Sequence, residues 1–208
     1  MKDYELYLFD FDGTLVDSIK SLIDVFVLSF KDIGIKVDED NVLQYTRQPL
    51  EETFYSLGGK DEDAAYFEKR IRYYLDDKDV LKKTEIYDET IPFLKEMIKK
   101  NKKLGIVTSN NERHVLDVLS LFNIPHEYFV TIVGSDKERE TKPSPKPLLY
   151  ALKELNILDK EKVVYVGDAL NDMLSAKRAG LDAILIDRVN AFDKEEHFEV
   201  IKSLNELL

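Results

Sequence analysis

Two carboxylates one residue apart, Asp10 and Asp12, stand where the apolar run Leu6-Tyr7-Leu8-Phe9 gives way to Phe11, Gly13 and Thr14. The run has the composition of a buried strand, and the acids fall in the loop at its C-terminal end. Delivering two acids to the tip of a buried strand is costly unless a cation or a proton transfer uses them. A tight turn is the plainer reading of an isolated Asp-x-Asp-Gly. The chemical reading is a metal-assisted nucleophile with its proton partner. Asp10 would attack phosphorus with one carboxylate oxygen and hold a hard divalent cation with the other. Asp12 would protonate the leaving oxygen, then take a proton from the hydrolytic water. Gly13 would let the backbone approach a phosphate closely.

Three later stretches could complete such a centre. Thr108-Ser109-Asn110 combines hydroxyls with free N–H groups ahead of a helix. Alone it is an ordinary strand-to-helix turn, and in context it suits a phosphate oxygen. Thr141-Lys142-Pro143-Ser144-Pro145 is a stiff loop with one lysine, and Pro145 lies near the start of a helix. A carboxylate nucleophile and a phosphate dianion repel each other. An ammonium from Lys142 between them would offset this and hold Asp10 ionised. Gly167-Asp168-Ala169-Leu170-Asn171-Asp172 offers Asp168 as a cation ligand. Asp172 could serve as a ligand through water, as a partner for Lys142, or simply as a helix N-cap.

These residues need a scaffold that brings them together, and the periodicity supplies one. Apolar positions predict strands at Lys102 to Val107, Phe129 to Val133, Val163 to Val166 and Ala183 to Ile186. Helices are expected at Thr90 to Asn101, Glu112 to Phe122, Pro145 to Leu155, Asp172 to Ala179 and Glu195 to Leu208. Strand and helix alternate at βαβ lengths, which predicts an α/β fold with a parallel sheet covered on both faces. In such sheets ligands bind beyond the carboxyl ends of the strands, where strand order reverses. Asp10, Asp12, Thr108, Ser109 and Asp168 all follow strand ends. Between residues 17 and 84 the pattern is helical only. Candidates run from Ile19 to Ile33, over 38–45, from Leu50 to Leu57 and from Asp61 to Leu75, and Gly34 is a plausible stop for the first.

Four ordered motifs therefore span the chain: Asp10-Phe11-Asp12-Gly13-Thr14, Thr108, Lys142-Pro143, and Gly167-Asp168 with Asp172. Together they resemble those of the haloacid dehalogenase-like hydrolase superfamily. The insert after the first motif resembles the helical C1 cap of its phosphoglycolate phosphatase-like and β-phosphoglucomutase-like branch. The resemblance implies a Rossmann-like core formed by 1–16 and 85–208, a helical cap formed by 17–84, Mg²⁺, and an aspartyl-phosphate intermediate. Carried over by position, Asp10 is nucleophile and metal ligand. Asp12 is general acid/base and gives the metal a backbone carbonyl. Gly13, Thr108, Ser109 and Lys142 face the phosphate, Lys142 also pairs with Asp10, Asp168 is a metal ligand, and Asp172 stands behind the metal. Haloacid dehalogenases themselves lack the second aspartate, so Asp12 points to phosphoryl chemistry.

Two departures stand out. Asp88-Glu89 occupies the place where relatives often carry Pro-Gly. Gln48-Pro49-Leu50-Glu51-Glu52-Thr53-Phe54 resembles a cap loop of the phosphoglycolate phosphatases, but Arg47 precedes it where they usually have glycine. An arginine in a loop is commonly just solvated, while a functional Arg47 would bind an anionic part of the substrate.

Composition limits the alternatives. The chain has 208 residues, no cysteine and a net charge of −11. Disulfides and thiolate–zinc sites are excluded, and a cytoplasmic setting is expected because no signal-peptide pattern or membrane-length apolar run occurs. The acidic balance argues against nucleic acid or an anionic membrane as partner, leaving a small phosphorylated metabolite, with the protein a monomer or homodimer. A phosphomutase of the β-phosphoglucomutase type shares the core motifs. A phosphoaspartate receiver domain also combines acids, a hydroxyl and a lysine, but it has no place for the helical insert.

Overall fold

The computed structural model describes residues 2–38, 50–190 and 198–208. The chain divides into two compact units, Met1–Val16 with Ile86–Leu208, and Asp17–Glu85. In chain order, β1 (Leu6–Phe9) leads through a tight loop to the short strand β2 (Val16–Asp17). Four helices come next among the described residues: α1 (Ile19–Asp32), α2 (Leu50–Ser56), α3 (Asp61–Leu75) and α4 (Lys78–Leu81). The chain returns through β3 (Glu85–Ile86), which pairs with β2. Then α5 (Thr90–Lys99), β4 (Lys103–Val107), α6 (Glu112–Leu121), β5 (Phe129–Val133), α7 (Lys146–Glu154), β6 (Val163–Gly167), α8 (Leu170–Ala179), β7 (Asp182–Ile186) and β8 (Glu199–Ile201) alternate.

The larger unit is a six-stranded sheet in the order β5-β4-β1-β6-β7-β8, every neighbouring pair parallel. After β1 the chain builds outward on one side through β4 and β5. It then crosses back to β6 and builds outward on the other. The reversal falls beside β1, so the crevice beyond its carboxyl end is where such a sheet accepts a ligand. The period of two puts alternate residues of β1 on opposite faces. Leu6 and Leu8 pack with Tyr165, Val107 and Val133 against Leu148, Ala151 and Leu152 of α7 and Ala176 and Ala179 of α8. On the other face Phe9 meets Phe93 of α5 edge-on, with ring centroids 5.8 Å apart. Side chains of this size, fully buried, contribute about 1.5–3 kcal/mol each. That burial makes β1 a rigid mount for the two acids at its carboxyl end. The fold is α/β, a Rossmann-like parallel sheet with a helical insertion after the first strand.

The smaller unit has its own apolar centre. Val25, Phe26 and Phe30 of α1, Phe54 of α2, and Phe67 and Ile71 of α3 are buried together. The Phe30 and Phe54 rings lie 4.6 Å and 4.8 Å from Phe67. Gly34 follows α1 with φ +76°, the left-handed conformation that ends a helix. The helix expected over 38–45 lies outside the described residues, apart from Asp38. α4 has too short an apolar pattern to be visible in the sequence. It starts at Asp77, whose carboxylate accepts the N–H groups of Asp79 and Val80.

One expectation is corrected. The helix read over Glu195 to Leu208 is, within the described part, strand β8 and a 3₁₀ turn at Leu204–Leu207. Ile184, Leu185 and Ile186 pair with Glu199, Val200 and Ile201, and the Ile201 carbonyl accepts the Asp187 N–H at 2.9 Å. The apolar spacing of Ile201, Leu204 and Leu207 fits a helix. The open edge of β7 offers a row of backbone partners instead, and pairing with that edge prevails.

Candidate active site

The acids of the first motif begin where the β1 ladder ends. Asp10 continues it by one bond, its N–H donating to the Val166 carbonyl at 2.8 Å. The chain then turns back sharply. The Leu15 N–H donates to the Phe11 carbonyl at 2.9 Å and the Gly13 N–H to the Val16 carbonyl at 2.8 Å. Gly13 adopts φ +76°, and a Cβ there would stand 2.1 Å from Asp168 Oδ2. Glycine is thus required for its conformation and because the Asp168 carboxylate lies against it. The turn is anchored by Arg188, just past β7. Its Nη2 donates to the Thr14 carbonyl at 3.0 Å, its guanidinium pairs with Glu89, and its plane lies 3.6 Å from the Tyr87 ring centroid. The Asp88-Glu89 departure therefore supplies an anion for this arginine.

Lys142 is the hub of the charged centre. Its Nζ lies 2.7 Å from Asp10 Oδ1 and 2.6 Å from Asp172 Oδ1, and it donates to the Tyr165 hydroxyl at 3.1 Å. The lysine side chain is 7% exposed, that of Asp10 11% and that of Asp172 1%, so water screens these contacts little. Asp172 sits in the first turn of α8 and does not cap it from outside. Its Oδ2 reaches back to accept the Ala169 N–H at 3.0 Å. The N–H at this helix end and the ammonium together occupy both Asp172 oxygens, which is the partner-of-Lys142 arrangement among the alternatives for this residue. Gly167 permits it, since a Cβ at that position would lie 2.4 Å from Asp172 Cγ.

Thr108 and Ser109 stand at the end of β4, next to β1 in the sheet. Thr108 is buried and its Oγ1 accepts the Asn110 N–H at 3.1 Å, while Ser109 is exposed. Asn111 caps α6 through the His114 N–H at 2.7 Å. Asn110 does more than form the turn: its Nδ2 donates to Asp12 Oδ2 at 2.7 Å. His114, buried edge-on to Phe11, has Nε2 3.9 Å from Asp12 Oδ1. The polar surroundings of Asp12 were not legible beforehand, because nothing in a spacing reveals which turn side chain reaches across to a neighbouring strand. Tyr165 was missed as well, although a phenol inside the valine run of β6 is a signal that some buried group there needs a partner. Arg47 lies outside the described residues.

The carboxylates of Asp10, Asp168 and Asp172 offer oxygen atoms within 4.8 Å of one another. Burial pushes the Asp10 carboxyl well above its ordinary value, Lys142 opposes this, and Asp172 and Asp168 add to it. Burial and then Asp172 push the Asp168 carboxyl up to about 7. Burial alone would lower Lys142, but Asp10 and Asp172 outweigh it and keep the ammonium protonated well above its usual range. Three acids thus face one ammonium, and burial first, then the neighbouring carboxylates, raises Asp10 and Asp168. An all-oxygen donor set with excess negative charge fits a hard divalent cation such as Mg²⁺. Among the described residues no helix is long and apolar enough to cross a membrane.

The profile of the haloacid dehalogenase-like hydrolases matches residues 7–186. A phosphoglycolate phosphatase of Aquifex aeolicus is 36% identical over 183 residues, covering 86% of this chain and 82% of that protein. The pyrophosphatase PpaX of Halalkalibacterium halodurans is 29% identical over 211 residues, covering 97% and 94%. A solved haloacid dehalogenase-like family hydrolase from Streptococcus pneumoniae superposes with a TM-score of 0.82 at 23% identity, covering 100% and 98%, a likeness of fold. The profile takes in the first motif, the helical insert and every later motif, and on that extent of agreement the chain belongs to the haloacid dehalogenase-like hydrolase family.

Proposed function

We propose that the chain is a Mg²⁺-dependent phosphatase that hydrolyses a small phosphate monoester through an aspartyl-phosphate on Asp10. The observation that carries the reading is the buried contact of Asp10 with Lys142 at 2.7 Å, within reach of the Asp168 carboxylate. Lys142 favours the carboxylate form of Asp10 against the burial that raises it, and offsets its repulsion from an approaching phosphate dianion. An Asp10 oxygen forms a bond to phosphorus while the bond from phosphorus to the ester oxygen breaks. Asp12 gives its proton to the departing alkoxide. Water then attacks phosphorus, its proton returns to Asp12, the bond between phosphorus and Asp10 breaks, and inorganic phosphate leaves. Gly13, Thr108 and Ser109 orient the phosphate oxygens. Asp10 and Asp168, with the Asp12 backbone carbonyl and with Asp172 behind, would hold the cation. When bound, it supplies charge neutralisation for the carboxylates and the transferring phosphoryl group.

Phosphoglycolate and pyrophosphate are the first substrates to examine, because relatives carry those names. We assign Arg47 a contact with an anionic part of the substrate, and Arg47→Ala then raises KM for acidic phosphate esters more than for neutral ones. The acidic, cysteine-free composition supports a cytoplasmic enzyme acting on a small phosphorylated metabolite, without nucleic acid or an anionic membrane as partner, and we take it to act as a monomer or homodimer. The test is a phosphatase screen over a metabolite panel in Mg²⁺ with EDTA as control, run beside Asp10→Asn. The reading expects loss of turnover both in EDTA and in the variant. Substantial phosphatase activity in folded Asp10→Asn would overturn it.

A further inference from the structure

We propose that Tyr165 is a positioning residue for Lys142 and, through it, for Asp10. The inference rests on the phosphatase reading above. Lys142 is carried on a loop, so neither a helix nor a strand fixes its ammonium. An ammonium has three protons and accepts nothing. Three acceptors surround this one: Asp10 Oδ1 at 2.7 Å, Asp172 Oδ1 at 2.6 Å and the Tyr165 hydroxyl at 3.1 Å. They come from the end of β1, from α8 and from the middle of β6, so together they define one position for the nitrogen.

The direction of the tyrosine contact is set by a fourth group. The phenol has a single proton; the Val107 carbonyl accepts it at 2.9 Å, and Asp172 Oδ1, the other acceptor in reach, lies farther off at 3.3 Å. That carbonyl ends β4, directly before Thr108. Its lone pairs are then left to accept from Lys142. The ring is fully buried and packed with Leu6, Leu8 and Val133, so the hydroxyl is held where it reaches only the Val107 carbonyl, Asp172 Oδ1 and the Lys142 ammonium among the described residues. Tyr165 touches none of the reacting atoms in the proposed reaction. What it does is to refer the position of Lys142 to the same sheet that carries Asp10 and Thr108.

The test is Tyr165→Phe, which keeps the ring and removes the hydroxyl. With an aryl phosphate and Mg²⁺, kcat is expected to fall about 10- to 100-fold, the range for one hydrogen bond to a charged group, with KM changed less than threefold. A residue that acts through Lys142 has nothing to add once Lys142 is gone. Tyr165→Phe/Lys142→Met should therefore match Lys142→Met within about twofold in kcat. A kcat within twofold of wild type in Tyr165→Phe, even with a lower melting temperature, overturns the proposal. So does a repeat of the full loss in the Lys142→Met background. If Tyr165→Phe does not fold, Tyr165→Met is measured in the same two backgrounds and judged by the same outcomes. Asp10→Asn keeps the two readings apart. If it is active, the phosphatase mechanism itself has failed, whereas an inactive Asp10→Asn beside an unimpaired Tyr165→Phe removes only the role of Tyr165.

Discussion

Adding one methyl group at Gly167 should disable the centre without touching a charged residue. A Cβ there would lie 2.4 Å from Asp172 Cγ and 2.5 Å from its Cβ and Oδ2, where ordinary contacts start at 3.4 Å. Asp172 would have to retreat by about 1 Å, since repulsion at such distances rises steeply. It has nowhere to go. The residue is 1% exposed, its Oδ2 is held by the Ala169 N–H at 3.0 Å, and its Oδ1 meets Lys142 at 2.6 Å. Overpacking of this kind costs about 1–3 kcal/mol. For a domain of this size that lowers Tm by roughly 2–12 °C. A displacement of about 1 Å in groups that set the catalytic geometry costs about a hundredfold in rate. Gly167→Ala is therefore expected to lose about a hundredfold in kcat in initial-rate assays with an aryl phosphate and Mg²⁺, while still melting cooperatively by circular dichroism. Gly180→Ala is the control. Gly180 has φ +73° but its Cβ would meet nothing closer than 3.8 Å. It should lose about 1–2 kcal/mol of stability from backbone strain, with kcat unchanged. A Gly167→Ala enzyme within threefold of wild-type kcat would show that Asp172 need not stay where it is.

Three further outcomes are expected from the same geometry. Burial raises the Glu89 carboxyl, but the Arg188 hydrogen bond and backbone N–H groups outweigh it and hold the pKa below the usual value. A depressed carboxylate pKa adds stability that is present above the unfolded pKa and lost as pH falls through the folded one. Urea melts of wild type and Glu89→Gln should differ by about 1–2 kcal/mol at pH 7 and converge well below pH 4. Mg²⁺ at about a hundred times its Kd should add roughly 2.7 kcal/mol and raise Tm by several degrees, an increment that Asp168→Asn removes. Asn156, just beyond α7, has φ +54°, so Asn156→Ala should lower stability by about 1 kcal/mol in denaturant titrations while Asn156→Gly does not.

The strand ends that carry the candidate site were readable because parallel sheets announce themselves twice. Val163 to Val166 and Leu104 to Val107 are apolar without alternation, as strands buried on both faces must be, and each stops at a polar cluster. Asp61 to Leu75 was readable because a long amphipathic repeat has only one way to hide its apolar face. The C-terminal stretch misled because Ile201, Leu204 and Leu207 satisfy helical spacing, while the competing edge of β7 is a tertiary feature. The side chains that complete the site were hidden for a related reason. Asn110, Tyr165 and Arg188 act on residues far along the chain, at Asp12, Lys142 and Thr14, and no local pattern encodes such pairings. Gly13 was legible as a position needing glycine, but the principal cause, the Asp168 carboxylate against it, belongs to the folded state.

The place of β1 in the sheet has a consequence for how the protein is made. It is synthesised before both its neighbours, which come late: Leu6 pairs with Lys103 on one side and with Val163 on the other. Closing loops of that length before any contact rewards them slows folding. On the ribosome the apolar run Leu6-Tyr7-Leu8-Phe9 therefore keeps at least one edge unpaired until β6 has emerged. Asp10 is translated well before Lys142 and Asp172, the groups that surround it, and acquires those surroundings only after they have emerged. A chain arrested before Val163 would leave one edge of Leu6-Tyr7-Leu8-Phe9 without its strand, an apolar edge prone to aggregation, rather than present a weakened enzyme.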